Sequence, residues 1–422
     1  MQNTSRQYIQ SVSIIGILFF IFGFVTWLNG PLIQFVKLAF DLDTDSKAFW
    51  VTTAFYMAYF FLALPSSWIL EKTGMKKGMA LGLLVMAFGT FIFGHFATER
   101  NYTVSLIGLF IIGSGLSLLQ TACNPYISII GPIESAAQRI SVMGICNKVA
   151  GILSPVVLGA FVLKDVSSLE EKVKSATDIA AREEILNQFA ATIYMPYMIM
   201  ALILVGLAFW ITQSALPEIK ASEVNAESVG SAAKNKTSIF QFTYLLLGAF
   251  CIFVYVGVEV MAGDAIGTYG KGFDISSDQT KYFTSFTLIA MLAGYVIGLF
   301  TIPKFMSQQT ALKISAWLGI TFTAAALVTQ GYVSVGFVAA LGLANALMWP
   351  AIWPLAIEGL GKFTERGSAF LIMGIAGGAI IPKIFASLKD QYDFQWTFFL
   401  IMLPCYLYIL YFAVKGHKAG KV

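Results

Sequence analysis

Charge is what this sequence has least of. Asp, Glu, Lys and Arg supply 12% of its 422 residues, against about 25% in an ordinary globular domain. A water-soluble chain of this length would need more polar surface to cover its cores. The net charge is only +4, and no run of lysine or arginine offers a phosphate-binding stripe, so a nucleic-acid partner is excluded. Histidine is scarcer still: His95 falls at a segment end and His417 in the tail. A membrane enzyme has no nucleophile–base or metal constellation to work with, and neither metal nor cofactor is expected. The four cysteines (Cys123, Cys146, Cys251, Cys405) all lie inside apolar runs. They are neither paired in loops nor spaced as zinc ligands, and read as small buried hydrophobes.

What the chain has in abundance is apolar sequence, 57% of residues. Crossing about 30 Å of hydrocarbon takes roughly 20 apolar residues as a helix. Twelve stretches qualify, near 11–38, 48–70, 78–98, 103–131, 139–163, 190–213, 238–268, 281–302, 311–331, 334–357, 367–386 and 394–415. The first runs from Val12 to about Leu28 with no small-x-small site after it, and reads as an uncleaved span rather than a signal peptide. With both termini cytoplasmic, 15 basic residues fall inside and 11 outside, which the positive-inside rule favours. The fold expected is all-α and integral to the inner (plasma) membrane, acting as a monomer in the bilayer.

Residues 214–237, rich in Ser, Ala, Glu and Lys, read as a cytoplasmic linker between six-helix bundles at 1–213 and 238–422. A faint repeat supports the division. Gly131, Met143, Gly144 and Ile145 recur 230 residues later as Gly361, Met373, Gly374 and Ile375. Two pseudo-symmetric bundles suit a transporter with its site at the seam. A second polar stretch, 165–189, carries a capping-box pattern from Ser168 to Glu171. Its spacings Glu170–Lys174 and Asp178–Arg182 predict a short, solvated surface helix.

Ionisable groups inside a membrane are functional candidates because burying them is costly. Lys148 in the fifth span and Glu259 in the seventh stand on opposite halves, where pairing would offset the desolvation of both. Asp264 joins Glu259 and Lys148 as a candidate for cation coupling, although its place nearer the outer end of the seventh span favours a solvated residue. Uncharged polar residues form stripes at helical spacing: Gln120 with Asn124, Tyr255 with Glu259, and Asn345 with Trp349 and Trp353. Asn147 precedes Lys148, while Trp27 and Asn29 stand near Gln34. Amides that donate and accept, set beside indole faces, fit a ligand with many hydroxyls and one apolar face, which describes a sugar. Prolines in the fourth, tenth and eleventh spans are expected to break those helices beside a cavity.

At these residues the chain resembles the fucose and glucose/galactose permeases of the major facilitator superfamily. The resemblance rests on Leu119-Gln-Thr-Ala-Cys-Asn-Pro125, Tyr255-Val-Gly-Val-Glu259 and Met348-Trp-Pro-Ala-Ile-Trp-Pro-Leu-Ala-Ile357. The loop holding Glu71, Lys72, Lys76 and Lys77 is similar to a degenerate form of the superfamily's gating motif. The resemblance implies a monosaccharide symporter coupled to H+ or Na+. Gln120, Asn124, Asn147, Glu259 and Asn345 would then bind sugar or serve coupling. Two positions depart from the pattern. Family members read Leu-Asn-Asp where this chain has Leu28-Asn-Gly30, and the fucose branch has Glu where Gln120 stands. Both departures point toward a glucose- or galactose-type hexose. Lys148 leaves open an uncoupled uniporter in which the ammonium replaces the cation. An exporter of another small molecule and a transport-inactive sugar receptor are the other readings.

Overall fold

The computed structural model describes residues 2–130, 136–218, 237–302, 304–360 and 363–420, and these form helices joined by turns and loops. Most of the expected linker, and Gly131 and Gly361 of the expected repeat, lie outside the described residues. Twelve helical segments are long and apolar enough to cross a membrane. The first half contributes Tyr8–Ala39, Asp45–Thr73, Met75–Thr98, Tyr102–Asn124, Arg139–Phe161 and Ile179–Gln213. The second contributes Thr243–Gly263, Ser277–Thr301, Gln308–Val328, Gly331–Ile357, Arg366–Leu388 and Phe394–Val414. Each helix closes its own backbone hydrogen bonds, as a lipid-embedded segment must. The outer surface carries large apolar side chains such as Phe161, Leu202, Phe209 and Phe300, each more than 60% exposed. Apolar exposure on that scale, on membrane-length helices, suits a surface that faces lipid.

Several spans are interrupted at mid-level, for visible reasons. The first consists of Gln2–Trp27 and Asn29–Ala39. Pro31 follows the break and its ring would clash with the Trp27 carbonyl in a continuous helix. The tenth consists of Gly331–Asn345 and Met348–Ile357, with Pro350 placed to exclude the Ala346 carbonyl in the same way. The eleventh passes through a tight 3-10 turn at Gly374–Ala376, and the seventh ends at Gly263 before a short helix Ile266–Lys271. The fourth and eleventh spans depart from expectation at their prolines: Tyr102–Ile129 continues through Pro125 and Gly377–Leu388 through Pro382, a carbonyl freed by proline being tolerable inside a bundle. The eleventh approaches the seventh so closely that a Cβ on Gly377 would lie 1.8 Å from the Phe253 carbonyl oxygen. We expect Gly377→Ala to destabilise the protein by about 1–3 kcal/mol, read as a lower melting temperature in detergent.

The polar stretch after the fifth span holds two helices, Val166–Ser175 and Ile179–Ala191, rather than one. The expected capping box does not form, because the first helix starts two residues before Ser168. Its free amides are capped from the other half of the molecule. Val166 N and Ser167 N donate to the Asp278 carboxylate at 3.1 and 3.3 Å. Nor do the expected intrahelical pairs carry the charges. Glu170 accepts from Lys271 and Ser277, and Arg182 makes a two-pronged bond to Asp41.

These contacts belong to one face of the bundle, opposite the termini, called here the distal face. There the halves are held together in several places. Lys389 reaches Asp45 at 2.5 Å, Lys383 donates to Ser46, and Lys281 donates to the Leu163 carbonyl at 2.7 Å. Burial opposes the charge on Lys389, but the Asp45 and Asp390 carboxylates hold its ammonium above the usual lysine range. The raised value keeps the ammonium charged at neutral pH, so on the alkaline side this contact is lost only in strong alkali.

Candidate functional site

A cavity of about 110 Å³ lies at mid-level on the seam between the halves. The first half lines it with Trp27, Tyr56, Tyr59, Gln120, Asn124, Asn147 and Lys148, and the second with Tyr255, Glu259, Tyr295 and Trp349. Phe19, Ile140, Gly144 and Ile375 extend the lining toward the face bearing the termini, while the distal side is closed by the contacts above.

The centre is an ion pair across the seam. Lys148 Nζ donates to Glu259 Oε1 at 3.0 Å, with side chains only 7% and 12% exposed. The same ammonium lies 4.4 Å from the centre of the Trp27 ring, where the negative π-face adds a second attraction. Trp27 Nε1 reaches Asn147 Oδ1 at 3.4 Å, and Asn147 Nδ2 faces the Phe19 carbonyl at 3.5 Å. Indole, amide and ammonium therefore hold one another in register. Gln120 Nε2 donates to the Tyr59 hydroxyl at 2.9 Å, which orients its amide at the wall. Across the cavity, Trp349 stacks on Trp353 with ring centres 5.3 Å apart and tilts against Tyr255 at 6.3 Å. Chemically, the chamber offers amide and hydroxyl groups, an indole platform and one charge pair.

The other residues named from sequence lie away from this lining. Trp353 supports Trp349 from behind. Asn345 is fully buried and accepts from the Tyr406 hydroxyl at 2.9 Å, between the tenth and twelfth spans. Asn29 and Gln34 lie past the break in the first span. Gln34 donates to Thr280 at 3.1 Å across the closed distal side, and Asn29 is 1% exposed. Asp264 is not solvated as its position near a span end suggests. It is 2% exposed, packed between the halves. In the loop after the second span, Glu71, Lys72 and Lys77 are exposed. Lys76 is fixed there, its ammonium on the Ser214 carbonyl at 2.8 Å and its amide on Glu218 at 3.2 Å. Tyr56, Tyr59 and Tyr295 line the cavity although no motif marked them. The three-residue spacing of Tyr56 and Tyr59, which puts two phenols on one helix face, is the available signal.

A polar chamber walled by two bundles of membrane-crossing helices and closed at one end is the architecture of a multi-pass membrane transporter. The chain belongs to the Major Facilitator Superfamily, whose sequence profile matches residues 15–382. It is 30% identical over 420 residues to a glucose/galactose transporter of Brucella abortus biovar 1 (strain 9-941), covering 99% of this chain and 96% of that one. It is 28% identical over 418 residues to the L-fucose-proton symporter of Escherichia coli (strain K12), covering 97% and 93%. Among solved structures it is similar to the transporter FucP in the outward conformation. There the TM-score is 0.75 and the identity 25%, over 96% of this chain and 98% of that one.

Proposed function

We propose that this protein is a secondary transporter moving a glucose- or galactose-type hexose across the inner membrane, with H+ or Na+ coupled through Glu259. The supporting observation is the pairing, in one seam cavity, of amides and an indole platform with an ion pair that bridges the halves. Gln120, Asn124 and Asn147 would bind hydroxyls while Trp349 takes the apolar ring face, backed by Trp353 and flanked by Tyr255. Asn345, Asn29 and Gln34 would act from outside the chamber, by setting helix register. The loop of Glu71, Lys72, Lys76 and Lys77 would steady the cytoplasmic side as the halves rock. The relatives' names fit this class of substrate and coupling.

With termini cytoplasmic, the closed distal face is external and the structure is inward-facing. Rocking the halves would separate Lys148 from Glu259, and a carboxylate stripped of its ammonium recruits a cation. A uniporter is the second reading, favoured by Lys148 at 3.0 Å already supplying that charge.

The amides test the assignment. Asn124→Ala and Asn147→Ala should each weaken hexose binding about 5- to 150-fold, the result of leaving a buried hydroxyl unpaired at about 1–3 kcal/mol. Titration of purified protein with glucose and galactose reads the effect. Unchanged affinity in both variants would remove the hexose from this cavity.

A further inference from the structure

Asp264 is the buried acid that the coupling scheme leaves without a task. It directly follows the Thr243–Gly263 helix of the seventh span and sits distal to the cavity, between the halves. The Tyr56 hydroxyl of the second span donates to its Oδ2 over a long 3.4 Å. Oδ1 makes no hydrogen bond of good geometry among the described residues, and the Gly30 backbone amide is its nearest donor. The first span comes against the carboxyl through bare backbone. A Cβ on Gly30 would lie 3.3 Å from Asp264 Oδ1 and 2.4 Å from Thr284 Oγ1.

The charged and titratable groups facing Asp264 are Tyr56, Glu259 and Lys148. Lys148 is committed to Glu259. On the neighbouring eighth and eleventh spans, Lys281 is directed at Leu163 and Asp278, and Lys383 at Ser46. An ionised carboxylate would therefore be buried with a long hydrogen bond from Tyr56 and the Gly30 backbone amide beside it, no cation of its own and another acid nearby. That arrangement is strongly disfavoured, whereas the neutral acid is tolerable. The closed distal side, in short, accommodates Asp264 with a proton and rejects it without one.

We propose that Asp264 is a proton-operated latch on the distal gate. With the gate open, external water reaches the carboxylate, which takes one proton from hydronium and leaves water. The neutral acid then seats against Gly30 and Tyr56, and the gate closes. Reopening returns the proton to the same side, so the latch moves no net charge. Its role is distinct from coupling at Glu259, and it rests on the reading of this chain as a carrier whose halves rock.

The test reads the distal distance rather than transport, with and without hexose. Spin labels on the exposed Lys164 and Tyr392 of opposite halves, with Cys146→Ala to remove the half-buried thiol, report the distal separation in lipid nanodiscs. Distances are recorded from about pH 5 to pH 9. Closure takes up one proton, so above the titration point the closed-to-open ratio should fall up to about tenfold per pH unit. Asp264→Asn, which mimics the neutral acid, should stay closed throughout. A pH-independent distance in the parent protein overturns the latch, even if the variant fails to fold. So does an unchanged pH response in Asp264→Asn. A hexose-driven change in distance without a pH-driven one leaves the transporter and removes the latch. A pH response abolished in Asp264→Asn, in a protein that binds no hexose, leaves the latch and removes the hexose.

Discussion

Glu259→Gln should abolish uphill accumulation of hexose while preserving exchange of internal for external sugar. In the parent protein, one cation moving with a neutral sugar across 100 mV is worth about 2.3 kcal/mol, enough for roughly fifty-fold accumulation. Glutamine keeps the shape and can still accept from Lys148, but it cannot alternate between an ammonium and a mobile cation. Net uptake then stops at equal concentrations, a loss of that whole factor. Exchange survives because it needs the halves to rock only with sugar bound. Counterflow in proteoliposomes, measured beside gradient-driven uptake, reads both. Full accumulation by the variant would move coupling away from Glu259.

The second large effect is on folding. Lys148→Met removes the ammonium from a carboxylate that is 12% exposed and leaves a buried charge without its partner. Breaking such a pair costs about 3–5 kcal/mol, while replacing both members with matched uncharged groups is far milder. Lys148→Met should therefore lower the melting temperature sharply, and Lys148→Met with Glu259→Gln should recover most of the loss. A double-mutant cycle in detergent gives the coupling energy directly. If the double variant is as unstable as the sum of the singles, the two groups do not form an energetic pair. Glu259 would then be sustained by water in the chamber.

The spans were legible because about 20 apolar residues are needed to cross lipid whatever surrounds them. Parts of the cavity were legible for a related reason. Gln120 and Asn124, or Tyr255 and Glu259, share a helix face by spacing alone. That logic stops at a break. Asn29 and Gln34 follow the interruption before Pro31 and are carried to the distal closure instead of the chamber. Asn345 ends the first piece of the tenth span and Trp349 lies in the first turn of the second, so the expected stripe is divided between Tyr406 and the cavity.

Long-range pairing hid the rest. The helix Val166–Ser175 is capped by Asp278, 112 residues away from Val166, and no local pattern announces it. A capping box two residues further on was the stronger signal in sequence, but tertiary contact set the helix start. The burial of Asp264 was hidden likewise, since a carboxylate near a span end reads as solvated until the other half closes over it. Gly30 and Thr284, which shape its surroundings, carry no charge to flag them.

The most direct test is uptake of radiolabelled glucose and galactose by proteoliposomes of the purified protein, with pH, sodium and voltage set separately. The account predicts accumulation of one of these hexoses above its external concentration, collapsing when a single cation gradient is dissipated. Absence of hexose flux under every gradient, from protein that is folded and correctly inserted, would contradict it.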